Sequence, residues 1–464
     1  MKLSKALSSA NGRRLKSALV FASLVLGAFG AAGEWDVNLA DFPRLAGETD
    51  DSPRFMRAVS AAPDGVLRVP TGEYDIATMI SITNRCSLSM HPAAHLVARA
   101  EMKYVIFWDG AADYHALSVY KPDGSVYDNL NVFIRGGDID GNGLASCLAI
   151  ANSHHFTLAD ISLHNGRVTG LCVTRETGGH LYELIANNVY CKCTMSGLAG
   201  NVGIDCQVSD CHFTDCIVVD YTKGIRSTGG ANRFTRCHVW GGTVPPKGLG
   251  FKEWSDAYAS RKKKESKRMW TAEDEKAHLA LGVPEMLPGS IAFECIGGAN
   301  VFDGCYADTA EIGYDIHNGA VIVNSGFYNN PRMNLRKSTA IVHRRGKLRV
   351  AFCDFRGAAG CEKLYEGSGK NVEWIANEVR GGAGMAEDAA RLFAPRAEAA
   401  KYDVAAYVWP AYQPEPRWAE LGIFADGKGE WQNVYESTKR TPDDIQDVRQ
   451  KFPTFKYYLI ELLV

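Results

Sequence analysis

The sequence predicts an all-β chain wound into a right-handed parallel β-helix, with an N-terminal capping helix and a short α/β segment at the C-terminus. Three observations carry this. From about residue 85 to 380, short apolar-x-apolar runs recur, among them NVFIRGGDIDG, HFTLADISLHNG, VSDCHFTDCIVV, NRFTRCHVWGG, NVFDGCYADT and LRVAFCDFRGA. Asn, Asp and Gly return where one run meets the next, and these are the residues that tight turns favour. No helical pattern of about 10–15 residues alternates with the runs, which argues against a doubly wound sheet or a barrel. A period of roughly two to three dozen residues then means coils that bury their apolar faces on one another. A β-sandwich would leave the repeated corner residues unexplained. In this reading Ile139, Ile161, Val189, Phe213, Val239, Tyr306, Phe327, Phe355 and Val379 are equivalent positions, with Ile161, Val189, Phe213, Phe327 and Phe355 inward.

Taken from the N-terminus, residues 1–33 read as an export signal. Arg13, Arg14 and Lys16 precede the apolar run LVFASLVLGAF, and small residues AAG stand before Glu34. The run is too short for a comfortable membrane span, so cleavage near Ala32 or Gly33 is expected. The destination would be periplasm, cell surface or medium, with no later membrane segment. Residues 34–382 are assigned to the β-helix. Its open first coil needs a cap. The stretch TDDSPRFMRAVSAA supplies one, with Ser52 as N-cap, Pro53 at the first helical position, and Phe55, Ala58 and Val59 on one face. The strand VLRVP and the turn TGEY follow.

The stretch DF…GETDDSPRFMRAV…VLRVPTGEYDI resembles the opening of the pectate-lyase-superfamily β-helix proteins, a group overlapping the family-28-like glycoside hydrolases. The matching residues are Asp41, Phe42, Gly47, Thr49, Asp50, Asp51, Ala58, Val69, Pro70, Gly72 and Tyr74, and GGDIDGNG at 136–143 is similar to a corner of that group. The resemblance implies the β-helix fold and a polysaccharide substrate.

Composition narrows the partners. A net charge of −2 gives no electrostatic case for nucleic acid. Thirteen cysteines without a CxxC pair, set in apolar runs, read as buried and inert rather than as a zinc site. Asp138 and Asp140 offer too few oxygens for calcium by themselves, so GGDIDGNG reads as a corner. No cofactor is assigned, and calcium is the one left open.

Two chemistries cleave such a polysaccharide. Hydrolysis of a glycoside needs two flanking carboxylates. The paired acids of the polygalacturonase-like enzymes would fall on Tyr221-Thr222-Lys223-Gly224, where no acid stands. Asp205, Asp210, Asp215 and Asp220 recur every five residues, which fits neither a strand face nor a helix face, so they read as corners. Elimination from a uronate needs a base and a cation. His238, Lys223, Arg226 and Asp308 are the candidate catalytic residues, with Trp240 and Tyr306 as the sugar-binding platform. The segment 243–289 interrupts the coils with a charge run, RKKKESKR, and the helix-like WTAEDEKAHLAL, and would wall this cleft.

Residues 383–464 form a linker and an incomplete barrel-like segment. VAAYVWPAYQPEPRW and GKGEWQNV resemble the opening of WbsX-type, endo-mannosidase-like glycoside hydrolase barrels through Ala406, Tyr407, Trp409, Pro410, Tyr412, Pro414, Trp418, Gly429, Glu430, Trp431, Asn433 and Val434. A whole barrel takes about 250 residues, so no catalysis is assigned here. The expected function is an exported glycoside hydrolase or polysaccharide lyase. The alternative is a noncatalytic carbohydrate-binding or surface scaffold.

Overall fold

The computed structural model describes residues 36–393, apart from 111–131, 175–181, 331–336, 358–361 and shorter gaps. The chain divides into two compact units, Met1–Ala394 and Pro395–Val464. The export-signal segment and the barrel-like stretch both lie outside the described residues.

One coil gives the plan. His212–Thr214, Ile217–Val219 and Lys223–Ser227 are three successive short strands. The chain bends at Asp210, Asp215 and Asp220, with φ of 63°, 55° and 61°. This left-handed region is one that Asp tolerates because its short side chain bonds locally. The five-residue rhythm of aspartates is therefore a rhythm of corners. Asp205 departs from it and lies within the strand Val202–Cys206.

Each strand pairs in parallel with its counterpart one coil on. Phe213 meets Phe234 and then Phe302, Val218 meets Val239 and then Ala307, and Ile225 meets Phe293 and then Tyr314. These three strand stacks are called the first, second and third faces. The first two run together as a 21-stranded sheet, and the third is a 10-stranded sheet. Inside, like residues stack: the rings of Phe213, Phe234 and Phe302 follow one another at 5.1 Å.

Ile161, Val189, Phe213, Phe327 and Phe355 are all buried, as expected. They do not form one column. Phe213 belongs to the first face, while Ile139, Val239, Phe327, Phe355 and Val379 belong to the second. Ile161 and Val189 fill the bend between the two faces, after Asp160 and Asn188 in left-handed conformations. Tyr306 points outward and is 37% exposed. Both faces use three-residue strands with an inward middle residue, set five apart, so a sequence pattern fits either.

The third face has a column of its own. Gly170, Gly203, Gly224, Ala292, Gly313 and Ala340 stand one residue before the large inward side chains. A Cβ on Gly224 would lie 2.2 Å from Val239 Cγ1, and one on Gly203 2.2 Å from Val218 Cγ1. Small residues are required because the second-face valines reach across to this wall. The described cysteines are free and buried, several of them in the inner bend beside the left-handed residue. Burial raises the Cys191 thiol well above its usual range, which keeps it inert.

Helix α1 (Ser52–Ala61) closes the first coil with Phe55, Ala58 and Val59 buried. Its cap differs by one residue from expectation. Asp51 is the N-cap, and the Ser52 amide donates to Asp50 Oδ1 at 2.8 Å. Ser52 Oγ instead accepts the amides of Ala77 and Thr78, each at 3.0 Å. Asp51 is buried and accepts from Arg44 Nε at 2.9 Å and from the Asp75 amide at 2.8 Å. Thus the two aspartates of GETDD pin the cap to the first coils. The interruption at 243–289 rises on an antiparallel stem, Thr243–Val244 with Glu285–Met286, and carries α2 (Phe251–Ser266) and α3 (Ala272–Ala280). The charge run begins within the last turns of α2 and ends just beyond it. Helix α4 (Ala383–Phe393) covers the last coil with Met385 fully buried. No helix among the described residues is long and apolar enough to cross a membrane.

Candidate functional site

Parallel register turns the outward positions of the second face into two rows. One row runs Tyr190, Ile217, His238, Tyr306, Gly326, Asp354, and the other Lys192, Val219, Trp240, Asp308, Tyr328, Arg356. Four of the six candidate residues, His238, Trp240, Tyr306 and Asp308, are therefore brought together on two adjacent strands. The His238 and Tyr306 rings lie 5.0 Å apart and tilted by 42°. Asp308 is almost buried, and its Oδ1 accepts from Thr309 Oγ1 at 2.5 Å. Its other oxygen stands 3.8 Å from His238 Nε2, too far for a hydrogen bond. That nitrogen is closed from solvent and has no partner among the described residues, although the side chain as a whole is 36% exposed.

Burial, followed by the Asp308 charge, pushes the Tyr306 phenol up to about 12, so it holds its proton at neutral pH. Next along its row is Gly326, where a Cβ would come within 3.3 Å of the Tyr306 ring. The Tyr306 ring and the Asp354 backbone close over this glycine, which is buried. Asp354 Oδ2 accepts from Arg356 Nε at 2.7 Å, while its Oδ1 is buried without a partner among the described residues. At the corner beyond the second face, Asp220 accepts from the Thr243 amide at 3.0 Å. Burial nonetheless pushes its carboxyl up to about 6.

Lys223 and Arg226 are not part of this group. Both lie on the third face, around the corner at 220–222. Lys223 Nζ holds Glu294 at 2.7 and 2.9 Å, and Arg226 grips buried Asp205 through two bonds of 2.8 and 2.7 Å. A corner of three residues turns the chain onto a new wall, which strand alternation alone does not reveal. Asp315 on the same wall takes Arg344 at 3.0 and 2.9 Å, with His317 Nε2 at 3.2 Å. Glu294, Asp315 and His317 bring one donor atom each within 4.8 Å of one another, a set able to hold a divalent cation. Lys223 and Arg344 already neutralise both carboxylates.

A second cluster was missed by the sequence reading. Asp138 of GGDIDGNG lies between two imidazoles, with His95 Nδ1 2.7 Å from Oδ1 and His164 Nε2 2.7 Å from Oδ2. Asp140 accepts from the Asn142 amide at 2.7 Å and Asn165 Nδ2 at 3.1 Å, as a corner residue does. Both acids are engaged within the protein, Asp138 by two imidazoles and Asp140 by the corner it closes. Gly136 is needed there because a Cβ would fall 2.2 Å from the Met90 carbonyl oxygen, at φ 74°. The signal for His95 and His164 was available only by aligning the second strands of three coils, since His95 and Asp138 are 43 residues apart.

These coils, capped at each end and lined inside by stacked rings, define a right-handed parallel β-helix protein. No family model matches the chain, and no curated protein sequence does. Among solved structures it is similar to ORF18 of Geobacillus virus E2, at 14% identity and a TM-score of 0.47, over 75% of this chain and 62% of the viral one. It is also similar to endo-xylogalacturonan hydrolase from Aspergillus tubingensis, at 12% identity and a TM-score of 0.44, over 75% of this chain and 93% of that one. A third is PfbA, a surface adhesin of Streptococcus pneumoniae, at 13% identity and a TM-score of 0.39, over 75% and 92%. These are likenesses of fold.

Proposed function

We propose that the protein is an exported, polysaccharide-active β-helix that binds a uronate-containing glycan along its second face and cleaves it by β-elimination. The observation that carries this is the juxtaposition of the unpartnered His238 Nε2, Asp308 and the Tyr306 and Trp240 rings on two adjacent strands. Elimination removes the proton α to the carboxylate, breaks the bond to the leaving sugar oxygen, and leaves a carbon–carbon double bond. His238 is the base through its other ring nitrogen, and the Asp308 carboxylate, 3.8 Å from Nε2, favours the imidazolium by charge rather than by a hydrogen bond. Tyr306, which keeps its proton, supplies one to the departing oxygen. Arg356, near Tyr306, is the cation that faces the substrate carboxylate. Trp240 is the stacking platform. Hydrolysis fits less well, because Asp354, the acid next to Tyr306 across Gly326 in this row, is paired with Arg356.

A noncatalytic glycan-binding scaffold is the second reading, favoured by the 3.8 Å gap between His238 and Asp308. A panel of polysaccharides, followed both for ultraviolet-absorbing unsaturated uronates and for reducing ends, separates them. Unsaturated product supports elimination, and reducing ends without it would replace elimination by hydrolysis. Retention of a polysaccharide with neither product would establish the scaffold.

A further inference from the structure

The first face holds a pocket of about 380 Å³, within the range of about 300–1,000 Å³ typical of small-molecule sites. Three consecutive coils build it. Ala299 closes one turn, Asn318 to Val321 form the next, and Lys347 and Arg349 come from the third. Gly319, at φ 73°, keeps the turn open, since a Cβ there would lie 2.7 Å from the Lys347 carbonyl oxygen. Val321 and Arg349 are direct neighbours in the ladder, and Glu373 follows Arg349.

The charges are unequal in number. Lys347 Nζ lies 2.5 Å from Glu373 Oε1, and Arg349 Nε lies 2.6 Å from Oε2. Two cations thus share one carboxylate, and the pair of them, Lys347 first, holds Glu373 below its usual range. Arg349 meets Glu373 through Nε, so its terminal fork is not spent on that bond. Both cations are well exposed, at 66% and 49%. Ala299 and Val321 give the pocket an apolar side, and Asn318 is exposed at its edge.

We propose that this pocket is a second carbohydrate site, separate from the second face, that takes a single hexuronate unit. The sugar carboxylate lies against Arg349 and Lys347, where a guanidinium fork suits planar oxygens. The apolar face of the ring covers Val321 and Ala299, and Asn318 meets a ring hydroxyl. The site does not depend on cleavage at His238.

The test is titration of the full chain with sodium glucuronate, glucose and sodium sulfate, followed by ligand-detected NMR. Glucuronate should bind, with glucose and sulfate at least tenfold weaker. Arg349→Gln and Val321→Trp should each weaken glucuronate at least tenfold, while Arg236→Gln, at an exposed cation on another coil, leaves it unchanged. Sulfate as strong as glucuronate would make this a plain anion site, and glucose as strong would remove the role of the cations. Absence of glucuronate binding, or binding indifferent to both pocket variants, would overturn the assignment. Melting curves check that each variant is folded, and Lys347→Gln replaces any that is not. Loss of binding in Trp240→Ala alone would return the sugar to the second face.

Discussion

The second and third faces are built by the same rule and end with opposite character. On the third face the outward row reads Asp205, Arg226, Glu294, Asp315, and each acid has a cation at 2.7 to 3.0 Å. On the second face the neighbouring rows carry His238 and Asp308, which do not bond, beside the exposed Tyr306 ring. Parallel stacking places like positions about 4.8 Å apart, so charges in one outward column need counter-ions within the column or beside it. The third face supplies them, Arg226 within the column for Asp205, and Lys223 and Arg344 beside it for Glu294 and Asp315. The second leaves His238 Nε2 and Asp354 Oδ1 unpaired beside the Tyr306 ring, and it is the face on which the proposed glycan would lie.

The sharpest way to break this contrast is His238→Ala. Activity on the cleaved glycan should fall about 10²–10⁴-fold, the usual contribution of a general base. The melting temperature should hardly move, because Nε2 makes no hydrogen bond to lose. A large drop in stability with little change in turnover would instead make the second face structural. Arg226→Ala is the mirror experiment. It strands Asp205, which is 1% exposed, and should cost about 3 kcal/mol in urea unfolding. That is the low end for a broken buried pair, since Arg226 keeps part of its surface in water. Turnover per folded molecule should stay unchanged, and a selective loss of turnover would move the third face into the site. Trp240→Ala should weaken glycan retention by about 1–3 kcal/mol, by analogy with stacking of bases on aromatics. Retention equal to the parent would remove Trp240 from the platform.

Asp220, at the corner that separates the two faces, sharpens the comparison through pH. Its folded carboxyl is pushed up to about 6 by burial, above the ordinary value of 3.8. The folded state therefore holds this proton more tightly than the unfolded one. The group's stabilising contribution is full below about pH 4 and is lost as pH rises through 6. Asp220→Asn keeps an acceptor for Thr243 and should raise stability at pH 7–8 by about 1–2 kcal/mol, with the gain vanishing toward pH 4. Equal melting curves for both proteins across that range would show that the carboxyl is not desolvated.

What the sequence disclosed follows from what is local. Corners were legible because Asp210, Asp215 and Asp220 must each take a left-handed conformation, and few side chains do so. The cap was legible because Phe55, Ala58 and Val59 share a helix face behind a proline. The faces were not, because Phe213 and Val239 sit in identical local patterns on different walls. The corner before Lys223 hides a change of wall in the same way, so Lys223 and Arg226 read as neighbours of His238 although they stand on the third face. The glycine and alanine column of the third face would have resolved it, since Gly224 is small to admit Val239 from the opposite wall. The His95–Asp138–His164 cluster was invisible for a related reason: register, not proximity in sequence, makes it.

The smallest expected effect is the most informative about where these properties reside. Both faces belong to the unit that ends at Ala394, and α4 is part of it. Met385 is fully buried, and Asp388 Oδ2 accepts the Leu364 amide at 3.2 Å, so α4 is tied to the coil strand Glu362–Glu366. Deleting 395–464 should therefore leave the melting temperature, glycan retention and turnover of the solenoid unchanged. A cut at 382 removes α4 as well. It bares Leu364 and the edges of Val372–Ile375 and Glu378–Arg380, and unpaired strand edges recruit other chains. The shorter fragment should melt lower and aggregate on light scattering. If both truncations behave alike, α4 is not the cap. If the cut at 394 alone abolishes retention, the glycan is held by residues beyond the β-helix, and the contrast between its two faces is not what selects the ligand.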